Sequence, residues 1–422
     1  LQCPIGLTLR RADAVGDRIF VEGNAAAALG AVYGGATMCA WYPITPSSSL
    51  AEAFTRWCSR YRVDKETKQN KFAIVQAEDE LASIGMVIGA AWNGARAFTC
   101  TSGPGISLMQ EFIGLAYFAE IPAVIFDVQR SGPSTGMPTR TQQTDIISCA
   151  YASHGDTKHV LLFPEDPYEC FTFGAQAFDL ADRLQTPVFV LLDLEIGMNE
   201  RLTKPFDWDD TRKLDRGKVM THADLEAGKK FGRYLDVDGD GIPYRTLPGT
   251  HPTKGAFFTR GTSKDRMARY SEEGADYQEN MERLLKKHHT ARTMVPGPIV
   301  RPAKQPTKLG AIYFGSTSPA MLEADDLLAE QGIALDLMRV RGFPFADEVD
   351  AFIADHDKVF VVEQNRDGQL RMLLVNELEI NPAKLVKVLH YDGTPITARF
   401  IADAIADRLD VKPPATLERA AE

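Results

Sequence analysis

The chain has 422 residues, 44% of them hydrophobic and 25% charged, with a formal net charge of −10. That length exceeds one compact core and predicts two or three domains. The acidic balance, with no basic block, argues against a nucleic-acid binder; no apolar run is long enough to span a membrane, and no signal peptide is visible.

Residues 1–17 lack a hydrophobic period and read as a linker. From 18 to 200, short apolar runs alternate with helical patterns. Tyr42-Pro43-Ile44-Thr45-Pro46-Ser47-Ser48 joins a strand to a helix expected to open near Pro46. Thr45 is then the expected N-cap, and the free N–H groups beside it suit a small carboxylate; an ordinary helix cap is the other reading. Segment 71–76 (KFAIVQ) predicts a strand, 79–92 a helix, 97–101 a strand, 102–105 a tight turn and 106–119 a helix. Segments 123–129 (AVIFDVQ), 160–163 and 188–192 predict further strands. Such alternation is the pattern of a parallel sheet flanked by helices, an α/β fold.

Residues 201–304 break the rhythm, being charged and rich in Gly and Pro, with one polar helical stretch at 270–289. They read as an irregular insertion wrapping another surface, closed by a linker at 296–306. Alternation resumes over 305–412, with strands at 311–314, 334–339, 359–363 and 385–389 and helices at 319–330, 347–355 and 369–377. Residues 413–422 form a tail.

The six cysteines, Cys3, Cys39, Cys58, Cys100, Cys149 and Cys170, include no C-x-x-C pair. A metal cluster built from this chain is not expected, and the usage fits a reducing cytoplasm. Asp236-Val237-Asp238-Gly239-Asp240-Gly241 copies the start of an EF-hand loop, but the twelfth position is Leu247 and Pro243 interrupts it. A structural turn is expected there. Gly132-Pro133-Ser134-Thr135-Gly136 lacks the ending of a P-loop. His288 and His289 are expected to be solvated.

Several segments coincide in order and spacing: EGNAAAALG (22–30), YPITPSS (42–48), QAEDE (76–80), TSGPG (101–105), VQRSGPSTG (128–136), PTRTQQ (138–143) and VEQN (362–365). Together they resemble the α subunit of 2-oxoacid:ferredoxin oxidoreductases over residues 20–410. The resemblance implies a transketolase-like domain that binds the pyrimidine of thiamine diphosphate, followed by a transketolase C-terminal-like α/β domain. It implies oxidative decarboxylation of a 2-oxoacid to an acyl-CoA with transfer of electrons to ferredoxin, or the reverse carboxylation, as in a reductive TCA cycle. A β subunit would hold the diphosphate, Mg²⁺ and a [4Fe–4S] cluster, and this chain no metal. A γ domain, fused ahead of Leu1 or separate, and a dimer of such heteromers are expected, in the cytoplasm.

Glu78 matches the family's glutamate, expected to hydrogen-bond N1′ of the pyrimidine and favour the imino tautomer that takes the C2 proton. A helix-start acid is the alternative reading, and it is the expectation for Asp79 and Glu80. Arg130 and Thr45 are expected to hold the 2-oxoacid, the guanidinium gripping its carboxylate. Tyr42 is expected to line that pocket or to be a core tyrosine. Arg140 is expected to bind substrate or a CoA phosphate, or to make a structural ion pair. YPITPSS and QRSGPSTG resemble the 2-oxoglutarate branch; pyruvate, branched-chain or indolepyruvate relatives, and a non-catalytic scaffold, stay open.

Overall fold

The computed structural model describes residues 12–258 and 261–411. The tail and most of the predicted N-terminal linker lie outside the described residues. In chain order the described strands are β1 (Ile19–Glu22), β2 (Met38–Trp41), β3 (Ala73–Gln76), β4 (Ala97–Thr101), β5 (Ala123–Gln129), β6 (Val160–Leu162), β7 (Pro187–Asp193), β8 (Glu200–Thr203), β9 (Ile299–Arg301), β10 (Leu309–Tyr313), β11 (Asp336–Arg339), β12 (Gly342–Phe343), β13 (Lys358–Glu363) and β14 (Leu385–Leu389).

Seven strands form the first sheet in the order β12-β6-β7-β5-β4-β2-β3. All its pairings are parallel except β12 against β6. β4, β5 and β7 are buried along their whole length, so they read as mainly apolar runs rather than alternating ones. A second sheet has the order β14-β13-β10-β11-β9. Its edge strand β9 runs antiparallel to β11 and lies inside the stretch expected to be a linker. Pro296–Pro298 only leads into it.

The two sheets share one apolar layer. Ile84, Ile113 and Phe189 from the first half pack in the same cluster as Phe314, Met338 and Val361 from the second. β12, though it follows β11 in sequence, pairs with β6 and extends the first sheet. The outer face of the first sheet is covered by the helices Gly23–Tyr33 and Pro167–Leu184. Their backbones meet closely: a Cβ on Gly30 would lie 2.2 Å from the Phe171 carbonyl oxygen. The AAAALG run is thus small because two helices touch there.

The insertion packs inward on the first sheet's own domain. Its helix, Gly274–Ala291, docks through Arg283 and Lys287 onto Glu120, an acid with no exposed side-chain surface, at 2.6 and 2.7 Å. Arg96 similarly pairs with Asp179 and Asp182 and donates to the Asp215 carbonyl. His288 on that helix is buried against Phe343, contrary to the expectation of solvation, while His289 is exposed. The helix's inner stripe has to face the domain, and position 288 falls one residue after Lys287 on it. The Asp236–Gly241 stretch is a turn. Asp236 accepts from the N–H groups of Gly239, Asp240 and Gly241, and Lys218 bridges Asp238 and Asp240.

Candidate active site

In a parallel sheet the loops beyond the strands' carboxyl ends gather at one edge and form the ligand crevice. Here the loops after β4 and β5 wall an open cleft of about 890 Å³. The second domain closes it with Asn365, Arg366, Asp367, Gln369 and Tyr391.

Arg130 lies one residue past β5 and is 8% exposed. One guanidinium nitrogen donates to the Thr45 carbonyl at 2.8 Å, tying the β5 loop to YPITPSS. Its buried Nε has no hydrogen-bond partner among the described residues. Burial pushes its pKa down and the Asp145 carboxylate opposes that. Thr45 itself is exposed. It is not an N-cap: the Thr45–Pro46 peptide is cis, the helix opens at Ser48, and Ser47 occupies the cap position without a side-chain cap bond. The Ser47 hydroxyl donates to the Ile44 carbonyl instead. Asn24 of the EGN segment holds this loop by donating to the Pro46 carbonyl and the Ser49 hydroxyl.

Tyr42 and Glu78 leave the carboxyl ends of the adjacent strands β2 and β3, and both are exposed. β3 is the sheet's edge. The helix that follows it, Glu80–Trp92, is capped by Asp79, whose carboxylate accepts from the Ala82 N–H at 2.6 Å. Glu80 in its first turn is only 6% exposed. It packs against the TSGPG turn, where a Cβ on Gly105 would lie 2.9 Å from Glu80 Cγ. Its carboxylate has no hydrogen-bond or ion-pair partner among the described residues. Nearby on the same strand end, the buried Ser102 hydroxyl is also unpartnered. The predicted 102–105 turn is the opening of a short helix, Gly103–Leu108.

Arg140 is exposed, makes no ion pair among the described residues and does not line the cleft. The structure therefore brings Arg130 and Thr45 together, leaves Tyr42 and Glu78 at the open edge beside them, and holds Arg140 apart.

Other residues of the site escaped the sequence reading. The VEQN segment is a clamp. Asn365 donates to the Gln143 carbonyl, the Gln364 N–H donates to Gln143 Oε1, and Glu363 accepts from Asn365 and from the Leu370 and Arg371 N–H groups. It thereby fixes PTRTQQ as one wall of the cleft. Asp127, a charge inside the apolar run AVIFDVQ, lies below that wall against Asp145. An acid in the middle of a buried central strand was the signal available for it.

The side chains of His222, Glu226 and His251 converge within 4.8 Å, a spacing compatible with a metal ion. Their bonding points elsewhere. His251 Nδ1 accepts from the Thr253 and Lys254 N–H groups, which leaves the ring proton on Nε2, facing Glu226. Lys254 already neutralises that carboxylate. A ligating histidine instead donates from its second nitrogen.

Residues 26–287 match the family described as pyruvate flavodoxin/ferredoxin oxidoreductase, thiamine diphosphate-binding. The α subunit of 2-oxoacid:ferredoxin oxidoreductase 2 from Aeropyrum pernix is 34% identical over 91% of this chain and 60% of its own. The 2-oxoglutarate synthase subunit KorA of Methanothermobacter thermautotrophicus is 32% identical over 83% of this chain and 88% of its own. A 2-oxoglutarate:ferredoxin oxidoreductase from Magnetococcus marinus, solved with 2-oxoglutarate, coenzyme A and succinyl-CoA bound, superposes with a TM-score of 0.83. It is 29% identical, over 93% of this chain and 65% of its own. The chain spans about 60% of the length of the Aeropyrum relative.

Proposed function

Because the chain belongs to the α-subunit family of 2-oxoacid:ferredoxin oxidoreductases, we propose that it supplies the pyrimidine-binding half of a thiamine diphosphate site that oxidatively decarboxylates 2-oxoglutarate to succinyl-CoA. The observation that carries this reading is Arg130: a buried guanidinium at a central strand end, with a free Nε, on an open cleft. Support for 2-oxoglutarate comes from relatives named for that acid and from the solved neighbour that holds it.

The residues fit the pyrimidine half of the cofactor. A buried carboxyl without a partner, Glu80, and an unpaired buried hydroxyl, Ser102, stand where a heterocycle with ring nitrogens and an amino group would satisfy them. When bound, thiamine diphosphate supplies the nucleophilic carbon and the electron sink. Two carboxyls of QAEDE compete to hold N1′. Glu78, the choice from sequence, is exposed at the edge strand; Glu80 is largely buried against the TSGPG turn, where a bound ring would cover it. We therefore assign the role to Glu80. Arg130 binds the substrate carboxylate as a planar fork, and the Thr45 hydroxyl, held close by the Arg130 bond to its carbonyl, lies beside it. Tyr42 borders the same edge. Arg140 lies outside the cleft, solvated and without an ion pair among the described residues, and a CoA phosphate reaching the rim is the role we assign to it.

Partner chains complete the reading: a β subunit with the diphosphate site, Mg²⁺ and an iron–sulfur cluster, a γ domain, and ferredoxin as electron acceptor. The test is a substrate panel on the enzyme isolated with its native partners. Reduction of a one-electron acceptor is followed with CoA present and 2-oxoglutarate, pyruvate, branched-chain 2-oxoacids or indolepyruvate supplied. Highest kcat/KM for 2-oxoglutarate is expected. Preference for another acid would move the chain to that branch, and no turnover with cofactor bound would leave a scaffold.

A further inference from the structure

Asp127 is fully buried in β5, the middle of the seven-stranded sheet. Asp145, which precedes the helix Ile146–Ala150, lines the cleft above it. Their side chains meet closely enough to hydrogen-bond once one carboxyl carries a proton. Among the described residues, Asp127 Oδ1 and Asp145 Oδ2 are both buried and, as carboxylate oxygens, without a hydrogen-bond partner. A proton held between the carboxyls supplies one. Two carboxylates in contact in a dry site cannot both ionise readily.

The surroundings are built around this pair. Gly103 of TSGPG gives room: a Cβ there would lie 2.7 and 2.9 Å from the Asp145 carboxylate oxygens. The Cys149 thiol lies 3.7 Å from Asp127 Oδ2. Gln129 Oε1 fixes the Asp145 backbone N–H at 3.0 Å. Among the described residues, the cation facing Asp145 is Arg130. Arg366 and Asp367, on the second domain's side of the cleft, pair with each other, and His390 beside Tyr391 is held below its usual pKa by burial.

We propose that Asp127–Asp145 is a proton-sharing carboxyl pair that positions Arg130 and tunes its hold on an anionic substrate group. The proposal rests on the assignment of Arg130 to the substrate carboxylate. While the pair keeps its protons, Arg130 is free to grip the substrate. When Asp145 ionises, its carboxylate competes for the same guanidinium and substrate capture weakens. Burial raises Asp145 to about 7 and Asp127 well above the usual carboxylate range, so the change falls near neutral pH. Asp145 is a positioning residue here, and the effect belongs in KM.

The test measures KM and kcat for 2-oxoglutarate from pH 6 to pH 8.5, on the enzyme with its native partners, for the wild type, Asp145→Asn, Asp127→Asn and Arg130→Lys. The wild-type KM should rise about fivefold across that range, the worth of one added charge at a few ångströms in a solvated cleft. In Asp145→Asn it should be flat. Infrared difference spectra of the wild-type enzyme should show a protonated-carboxyl band that fades through neutral pH and is absent in Asp145→Asn, so the idea stays testable if Asp127→Asn misfolds. A pH-independent wild-type KM, with Arg130→Lys raising KM throughout, would overturn the pair's role and keep that of Arg130. An unchanged KM in Arg130→Lys would overturn the assignment of Arg130 itself. Absence of a titrating carboxyl band would overturn proton sharing whatever the kinetics show.

Discussion

A carboxyl that hydrogen-bonds a buried heterocycle has to reach the packed interior of the site. Burial is therefore what separates Glu80 from Glu78. Glu80→Gln should keep the fold and lower kcat about a hundredfold, the scale of an acid–base group. Glu78→Gln should cost less than about tenfold by the same measure. Steady-state rates with saturating thiamine diphosphate check both, and the opposite ranking would return the role to Glu78. At Arg130 the argument is geometric. Lysine keeps the charge and loses the planar fork, so Arg130→Lys should raise KM for the 2-oxoacid about tenfold with cofactor affinity unchanged. A lower melting temperature with unchanged KM would make Arg130 structural.

At the scale of elements, two contacts set the geometry of the crevice. One is the helix pair behind the sheet, where Gly30 lies against the Phe171 carbonyl. Gly30→Ala must push the helices apart, and a loss of about 1–3 kcal/mol is expected from overpacking, read from chemical denaturation. The other is the clamp from β13 to the PTRTQQ wall. Asn365→Ala removes bonds to the Gln143 carbonyl and to Glu363, leaving a buried carboxylate short of a donor. Faster amide exchange at residues 141–145 and a raised substrate KM are expected, with the second sheet intact. Unaltered exchange there would show that the wall holds itself.

At the scale of the whole molecule, stability should depend on acid. His159 and His288 are buried and kept neutral, their pKa values lowered to about 4 and about 3 chiefly by desolvation. A histidine with a lowered folded pKa stabilises the fold fully above its unfolded value of about 6.5, and that stability is lost as pH falls towards the folded value. Acid therefore costs the fold on the order of 3 kcal/mol at His159 and about 5 kcal/mol at His288, relative to neutral pH. Denaturation midpoints should drop steeply between pH 6 and pH 4, and His288→Gln should flatten part of that slope. The molecule's cysteines carry a second prediction. Cys39 and Cys100 meet inside the core, where burial raises the Cys39 thiol, and no four-cysteine set exists among the described residues. The purified chain should be colourless and should not reduce an acceptor until partner chains are added; an iron–sulfur absorbance band from the chain alone would contradict this.

Local pattern carried much of the architecture. β4, β5 and β14 and the helix Asp347–Asp355 lie where the apolar runs and their breakers put them; β4 and β5, buried along their whole length, are apolar but for a few residues, as a strand covered on both faces is. The order of short segments was enough to indicate the family. Tertiary structure alone decided the rest. Whether Thr45 or Ser47 precedes the helix, and whether Glu78 or Glu80 is buried, depends on which neighbours cover them, and a two-residue spacing does not encode that. Strand β9 forms in a proline-rich stretch because β11 offers it an edge, and β12 crosses to the first sheet for the same reason. The Asp127–Asp145 pair joins residues 18 positions apart whose carboxyls meet only because β5 and the loop before the helix Ile146–Ala150 fold onto each other.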